Sequence, residues 1–337
     1  MNPKRILLTG ASGCIGHYIA ETLIQNTEHE LLLFVRNPDK LGFDWEVRPG
    51  VQVIQGDLRD VESFAQLLKT VNVAILTAAA WGGAAESFDI NVAKTTRLMA
   101  LLDPENCEQV IYFSTASILD RSNNLLPQAG QLGTDYIRTK YDCFRQLDKL
   151  AIYPKITTVF PTLVLGGDEH KPTSHVSSGL PEVAKWAAFV RWFKAEGSFH
   201  FIHGKDIATV VAYLVERPPE TEIKEGIAGK QLVLGNDCIS VNQAIEEFCA
   251  YTGTKIYFRI PLSLWLANVL IKLFNIKMAA WDYFSLQYRH FNYQNPVNPS
   301  TFGLPNYCPT FRDVLKISGV PRKKGQTREK EQEKNRD

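Results

Sequence analysis

The chain has 337 residues, 45% of them hydrophobic and 22% charged, which is enough apolar content for two lobes or one large α/β unit. Thirty-seven Lys and Arg against 36 Asp and Glu leave a formal charge of +1, so neither nucleic acid nor an anionic membrane surface is an expected partner. The six cysteines form no C-x-x-C pair and no Cys/His cluster at metal spacing, so reduced thiols, no bound metal and a cytoplasmic location are expected.

The opening "MNPKRILLTG" enters a short apolar run without the longer hydrophobic region of an export signal. A strand is predicted over Arg5 to Leu8, and helical periodicity follows at Ile15, Ile19 and Leu23. Between them Gly10, Gly13 and Gly16 form T-G-x-x-G-x-x-G. Small residues at that turn let the backbone approach a pyrophosphate, and the helix beyond offers free N–H groups and a positive dipole end. A glycine-rich turn without a ligand is the bland alternative. The second strand, "ELLLFVR", ends on Arg36, where an acid would take the ribose 2′-hydroxyl of NAD. An arginine accommodates a 2′-phosphate instead, so NADP is expected and NAD is the alternative; the bland reading of Arg36 is a solvated strand end. Further strands, "VQVIQGDL", "NVAILTAAA" and "QVIYFSTAS", alternate with helical stretches. That alternation predicts an α/β fold with a parallel, doubly wound sheet.

In "GTDYIRTKYDCF" Tyr136 and Lys140 are four residues apart, neighbours on a helix. Tyr251 and Lys255 repeat the spacing, but Gly253 between them signals a helix end that breaks the geometry. The apolar segment from Pro261 to Ile276 is too short to cross a bilayer and carries Asn268 and Lys272. It is expected to be a helix covering a hydrophobic pocket, with membrane contact as the alternative. Residues 318–337 are expected to be a disordered tail.

Taken in order, "TGASGCIG", "GDL", "TAAA", Asn91, "YFSTAS", "YIRTK", "FPTLVLGG", "FHFIHGKDIA" and "KQLVLGNDCISVNQAIEEFCAYTG" resemble the extended, epimerase/dehydratase-like branch of the short-chain dehydrogenase/reductase superfamily from residue 4 to about 255. The resemblance implies a Rossmann domain over 1–167, completed by about 199–235, and a smaller, mostly helical substrate lobe from 168–198 and 236–317. It implies cofactor contacts from Gly10, Ser12, Gly13, Cys14, Ile15 and Gly16, from Asp57 and Leu58 at the adenine, and from Ala78, Ala79 and Pro161. Thr115 takes the catalytic hydroxyl position, beside Ser114. Ser117 is the alternative, because Leu119-Asp120 replaces the family's Tyr-Gly. Tyr136 would transfer the proton. A phenol near pKa 10 is a poor base, and Lys140 would favour its ionised form while holding the nicotinamide ribose.

Phe160 and Leu165 stand where the family commonly has Arg and Tyr, so its substrate contacts do not carry over. The aromatic second lobe, with Trp186, Trp192, Trp265 and Trp281, suits a hydrophobic carbonyl or alcohol and an NADP-linked oxidoreductase. A nucleotide-sugar epimerase or dehydratase is the alternative, with Arg191, Lys194, Arg259 or Arg289 as the diphosphate clamp. A non-catalytic cofactor-binding scaffold or sensor is a third reading. The expected partners are a small-molecule substrate and, as an option, a second copy in a homodimer. His17, His200 and His203 are expected to be structural, and Asp206 to anchor the junction where the chain crosses back to the nucleotide-binding lobe.

Overall fold

The computed structural model describes residues 3–179, 189, 191–217, 222–224, 227–228 and 230–320. Trp186 and the greater part of the expected tail, 321–337, lie outside them. Seven strands form the central sheet: β1 (Arg5–Thr9), β2 (Glu30–Val35), β3 (Val51–Gln55), β4 (Val73–Leu76), β5 (Gln109–Phe113), β6 (Ile156–Pro161) and β7 (Gln231–Leu234). Their order is β7-β6-β5-β4-β1-β2-β3, and every neighbouring pair is parallel.

Alternation along the strands divides the core in two. Ile6, Leu8, Leu31, Leu33 and Ile75 meet α1 (Cys14–Asn26) and α4 (Gly204–Glu216) on one face. Leu7, Leu32, Ala74, Val110 and Tyr112 meet α2 (Thr95–Leu101) and α3 (Asp135–Phe144) on the other. Ile19 and Leu23, one helical turn apart on α1, are fully buried, and each contributes about 1.5–3 kcal/mol through the apolar area it hides. Leu23→Ala would cost about 2–5 kcal/mol through lost contacts and the cavity left behind. The chain leaves β1 towards β2 on one side and β4 towards β5 on the other, which opens a crevice at the carboxyl ends of these strands.

The C-terminal part is tied back to this frame. Asp206 is fully buried on α4 and accepts hydrogen bonds from the Tyr307 and Cys308 amides at 2.6 and 3.0 Å. Val297 is fully buried in the central core and bridges to Leu234 of β7. Helix α5 (Val241–Thr252) stops at Gly253, whose φ of 68° is left-handed, so Tyr251 and Lys255 do not share a helix face. Gly319 and Val320 are not free tail. They close α7 (Phe311–Ile317), with the Val320 amide donating to the Leu315 carbonyl at 3.2 Å.

Helix α6 (Leu264–Leu273) departs from the expected pocket cover. Its sole buried residue is Ala267, while Trp265 and Leu273 are 74% and 72% exposed. Its apolar residues run right round the helix, and the fold touches one side only. Among the described residues no helix is long and apolar enough to cross a membrane.

Candidate active site

A cleft of about 1260 Å³ opens at the crevice, and every residue expected to touch cofactor or carry chemistry lines it, from Gly10 and Arg36 at one end to Thr115, Tyr136 and Pro161 at the other. The glycine turn has steric reasons for its composition. Gly10 has φ +75°, and a Cβ there would lie 2.7 Å from the Ala78 amide nitrogen. A Cβ on Gly16 would lie 2.1 Å from the Gly10 carbonyl oxygen. Gly13 begins α1 with no side-chain cap, so the first N–H groups of the helix face the cleft with their dipole unopposed. These features fit a dinucleotide pyrophosphate. His17 braces the turn: its Nδ1 lies 3.1 Å from the Gly13 carbonyl and its Nε2 accepts from the Gly42 amide at 3.0 Å. Burial pushes its pKa down, consistent with a neutral ring that donates from Nδ1.

At the far edge of the nucleotide end, Arg36 follows β2, and Asn37 and Lys40 join it in the cleft wall. Asn37 caps the turn Pro38–Lys40 by accepting from the Asp39 amide at 2.9 Å, which brings Lys40 round to the same side. Just beyond the end of the neighbouring strand β3 Asp57 pairs with Arg59 at 2.6 Å, and that bond holds its carboxyl below the usual range. Lys40 and Asn37 carry weak sequence signals, a second cation and a cap in "RNPDK".

The chemical end is built by β5 and α3. Thr134 caps α3 through its side chain and starts the helix that carries Tyr136 and Lys140. Lys140 is 2% exposed, and its Nζ donates to the Phe113 carbonyl at 2.7 Å. The ammonium lies 5.0 Å from the Tyr112 ring centroid and 5.9 Å from that of Tyr136. Burial lowers the Lys140 pKa to about 8 and raises that of the Tyr136 phenol. Thr115 caps the turn Ala116–Ile118, accepting from the Ser117 amide at 3.3 Å, and its hydroxyl lies 3.4 Å from that of Ser117. Ser114 Oγ is buried and lacks a hydrogen-bond partner among the described residues. Asn91 is outside the cleft wall. It grips the Ala80 backbone, accepting from its amide at 2.7 Å and donating to its carbonyl at 3.0 Å, and donates to Thr139 of α3 at 3.0 Å.

Trp81 lines the same end and stacks on Tyr136, with centroids 3.9 Å apart and planes at 9°; the His175 ring stacks with Trp81 at 5.5 Å. The one sequence signal for Trp81 is a large aromatic residue next to Gly82 and Gly83 at a strand end. The four cations expected as a diphosphate clamp do not line the cleft. Arg259 pairs with Glu246, Arg289 with Glu196, and Arg191 donates to the Lys255 carbonyl.

Comparison with known proteins agrees with this architecture. The sequence matches the NAD dependent epimerase/dehydratase family over residues 6–228. It is similar to short-chain dehydrogenase/reductase family 42E member 1 of Xenopus laevis, 25% identical over 152 residues that cover 41% of this chain and 38% of that one. It is also similar to a 3 beta-hydroxysteroid dehydrogenase/Delta 5→4-isomerase of Mycobacterium tuberculosis, 27% identical over 152 residues and 40% of each. The chain thus spans about 40% of the length of these curated relatives. In structure it resembles a nucleoside-diphosphate-sugar epimerase of Staphylococcus aureus, with a TM-score of 0.62 at 16% identity over 93% of this chain and 99% of that one, a likeness of fold. With more than half of its length matched, the chain belongs to the NAD dependent epimerase/dehydratase family.

Proposed function

We propose that the protein is an NADP-linked oxidoreductase acting on an apolar carbonyl or alcohol, with Thr115, Tyr136 and Lys140 as its catalytic residues. The observation that carries this reading is their arrangement at one end of the cleft, where a buried ammonium that pairs with no carboxylate among the described residues lies beside the phenol ring. When bound, the nicotinamide would supply or take the hydride. In the reducing direction Tyr136, kept protonated at neutral pH by burial, gives its proton to the carbonyl oxygen that Thr115 orients. In the oxidising direction Lys140 favours the phenolate. A Lys140 pKa of about 8 leaves it an ammonium at neutral pH.

Arg36, Lys40 and Asn37 support a 2′-phosphate at the ribose edge, where Arg36 and not an acid immediately follows β2. The substrate class is supported by the Trp81 and His175 stack and by Leu163, Val164 and Val176 in the same wall, where no cation supplies a diphosphate clamp among the described lining residues. Titration should give NADPH about tenfold tighter binding than NADH, the low end for a charge-assisted contact at an exposed site. Oxidation of NADPH should then follow addition of an apolar ketone. Turnover of a UDP-sugar, or competition by UDP away from the NADP site, would move the assignment to a nucleotide-sugar epimerase or dehydratase.

A further inference from the structure

The segment 255–281 carries four cations, Lys255, Arg259, Lys272 and Lys277, and no Asp or Glu. Arg259 is paired with Glu246, but Lys255, Lys272 and Lys277 are exposed and make no ion pair among the described residues. The same segment presents an apolar surface to solvent. Tyr257, Phe258, Trp265 and Leu273 are between 62% and 74% exposed, and Ile260, Phe274 and Ile276 are about half exposed. The patch is continuous. Tyr257 and Phe258 lie on Trp192, Ile260 pairs in register with Phe193, Phe193 lies on Phe189, and Phe189 meets Phe274 at the end of α6. Within α6 the exposed face carries Leu264, Trp265, Val269 and Leu273, with Asn268 and Lys272 set among them.

A helix apolar on the face it turns to water is unstable in that position unless something covers it. We infer that this face docks on an anionic lipid surface, with α6 lying in the plane of the interface. Three features choose lipid over a protein partner. The exposed aromatic residues are amphipathic Trp and Tyr together with Phe, the types that settle at the headgroup boundary. Beyond Arg259, which Glu246 neutralises, and Asp282, which accepts from the Ala279 amide, the charges of this segment are the cations Lys255, Lys272 and Lys277, the complement of anionic headgroups, although the whole chain is nearly neutral. Lys272, one residue before Leu273, can keep its ammonium at the headgroups while its stem follows the apolar face. The ten residues of α6 rise about 15 Å, half a bilayer core, so the helix rests on the membrane and does not span it.

The test is co-sedimentation of the full chain with phosphatidylcholine vesicles, with and without phosphatidylserine, alongside light scattering of the protein alone. The wild type should partition onto vesicles, more strongly with phosphatidylserine and less so in salt. A W265E/L273E variant, changed at exposed positions and expected to keep its melting temperature, should lose at least about tenfold in partition on both vesicles. K272Q/K277Q should lose only the phosphatidylserine increment, about fivefold per lysine. No partition of the wild type, or equal partition of W265E/L273E, overturns the inference. So does a wild-type dimer that ignores vesicles and becomes monomeric in W265E/L273E, which would assign the face to a second copy of the chain.

Discussion

Replacing Lys140 by methionine should make the protein more stable and inactive at once. Lys140 is an ammonium held in the core by one neutral carbonyl, that of Phe113, and pairs with no carboxylate among the described residues. Burial lowers its pKa from 10.5 to about 8, which corresponds to about 3 kcal/mol of destabilisation while both folded and unfolded chains carry the charge. Met fills a similar volume and brings no charge, but it leaves the Phe113 carbonyl without its donor at a cost of about 1–1.5 kcal/mol. Lys140→Met should therefore gain roughly 2 kcal/mol at pH 7, or about 3 °C in melting temperature for a chain of this length.

The sign with pH is fixed by the direction of the shift. Below pH 8 both states bind the proton and the penalty is constant. Between about 8 and 10.5 the unfolded chain still binds it while the folded chain releases it, so wild-type stability rises with pH across that window. Thermal or denaturant unfolding of both proteins from pH 7 to pH 10.5, without cofactor, isolates this residue in the difference, since the other titrating groups are common to both. The advantage of the variant should shrink through the window and reverse at about pH 9.5. Parallel stability curves, or a variant less stable at pH 7, would refute the assignment of Lys140 as a buried and uncompensated charge. Turnover and cofactor affinity should both fall in the variant, which separates its function from its effect on folding.

Tyr136→Phe should lower kcat by about 10²- to 10⁴-fold with cofactor affinity unchanged, measured by steady-state kinetics and NADPH titration; retention of more than about a tenth of kcat would remove it as the proton carrier. Arg36→Asp should reverse the preference for NADPH over NADH, because it replaces attraction of the 2′-phosphate by repulsion and offers the ribose an acceptor. Equal wild-type affinities would leave Arg36 a solvated strand end. Trp81→Ala should raise KM for an apolar substrate and disturb the Tyr136 ring that it stacks upon, while NADPH binding holds; loss of NADPH binding instead would place Trp81 on the cofactor side of the cleft.

Local patterns settled the nucleotide-binding half in advance. The short apolar runs in "RILLT" and "ELLLFV", glycines spaced by three and the i, i+4 pair of Tyr136 and Lys140 are all contained in windows of a dozen residues or fewer, and local pattern reads such windows directly. The ordered series of motifs, seen through its family resemblance, told the Tyr136 pair from the Tyr251 pair, and the left-handed Gly253 supplies the physical distinction. Other features depended on residues far apart in sequence. Trp81 meets Tyr136 across 55 positions, Lys140 owes its lowered pKa to a core that closes around it, and Val297 joins the central sheet from a segment read as substrate lobe. The Pro261 to Ile276 stretch is the sharpest case. Its composition specifies an apolar helix, but which side the fold covers depends on what packs there, and the three-dimensional arrangement leaves Trp265 and Leu273 facing outward.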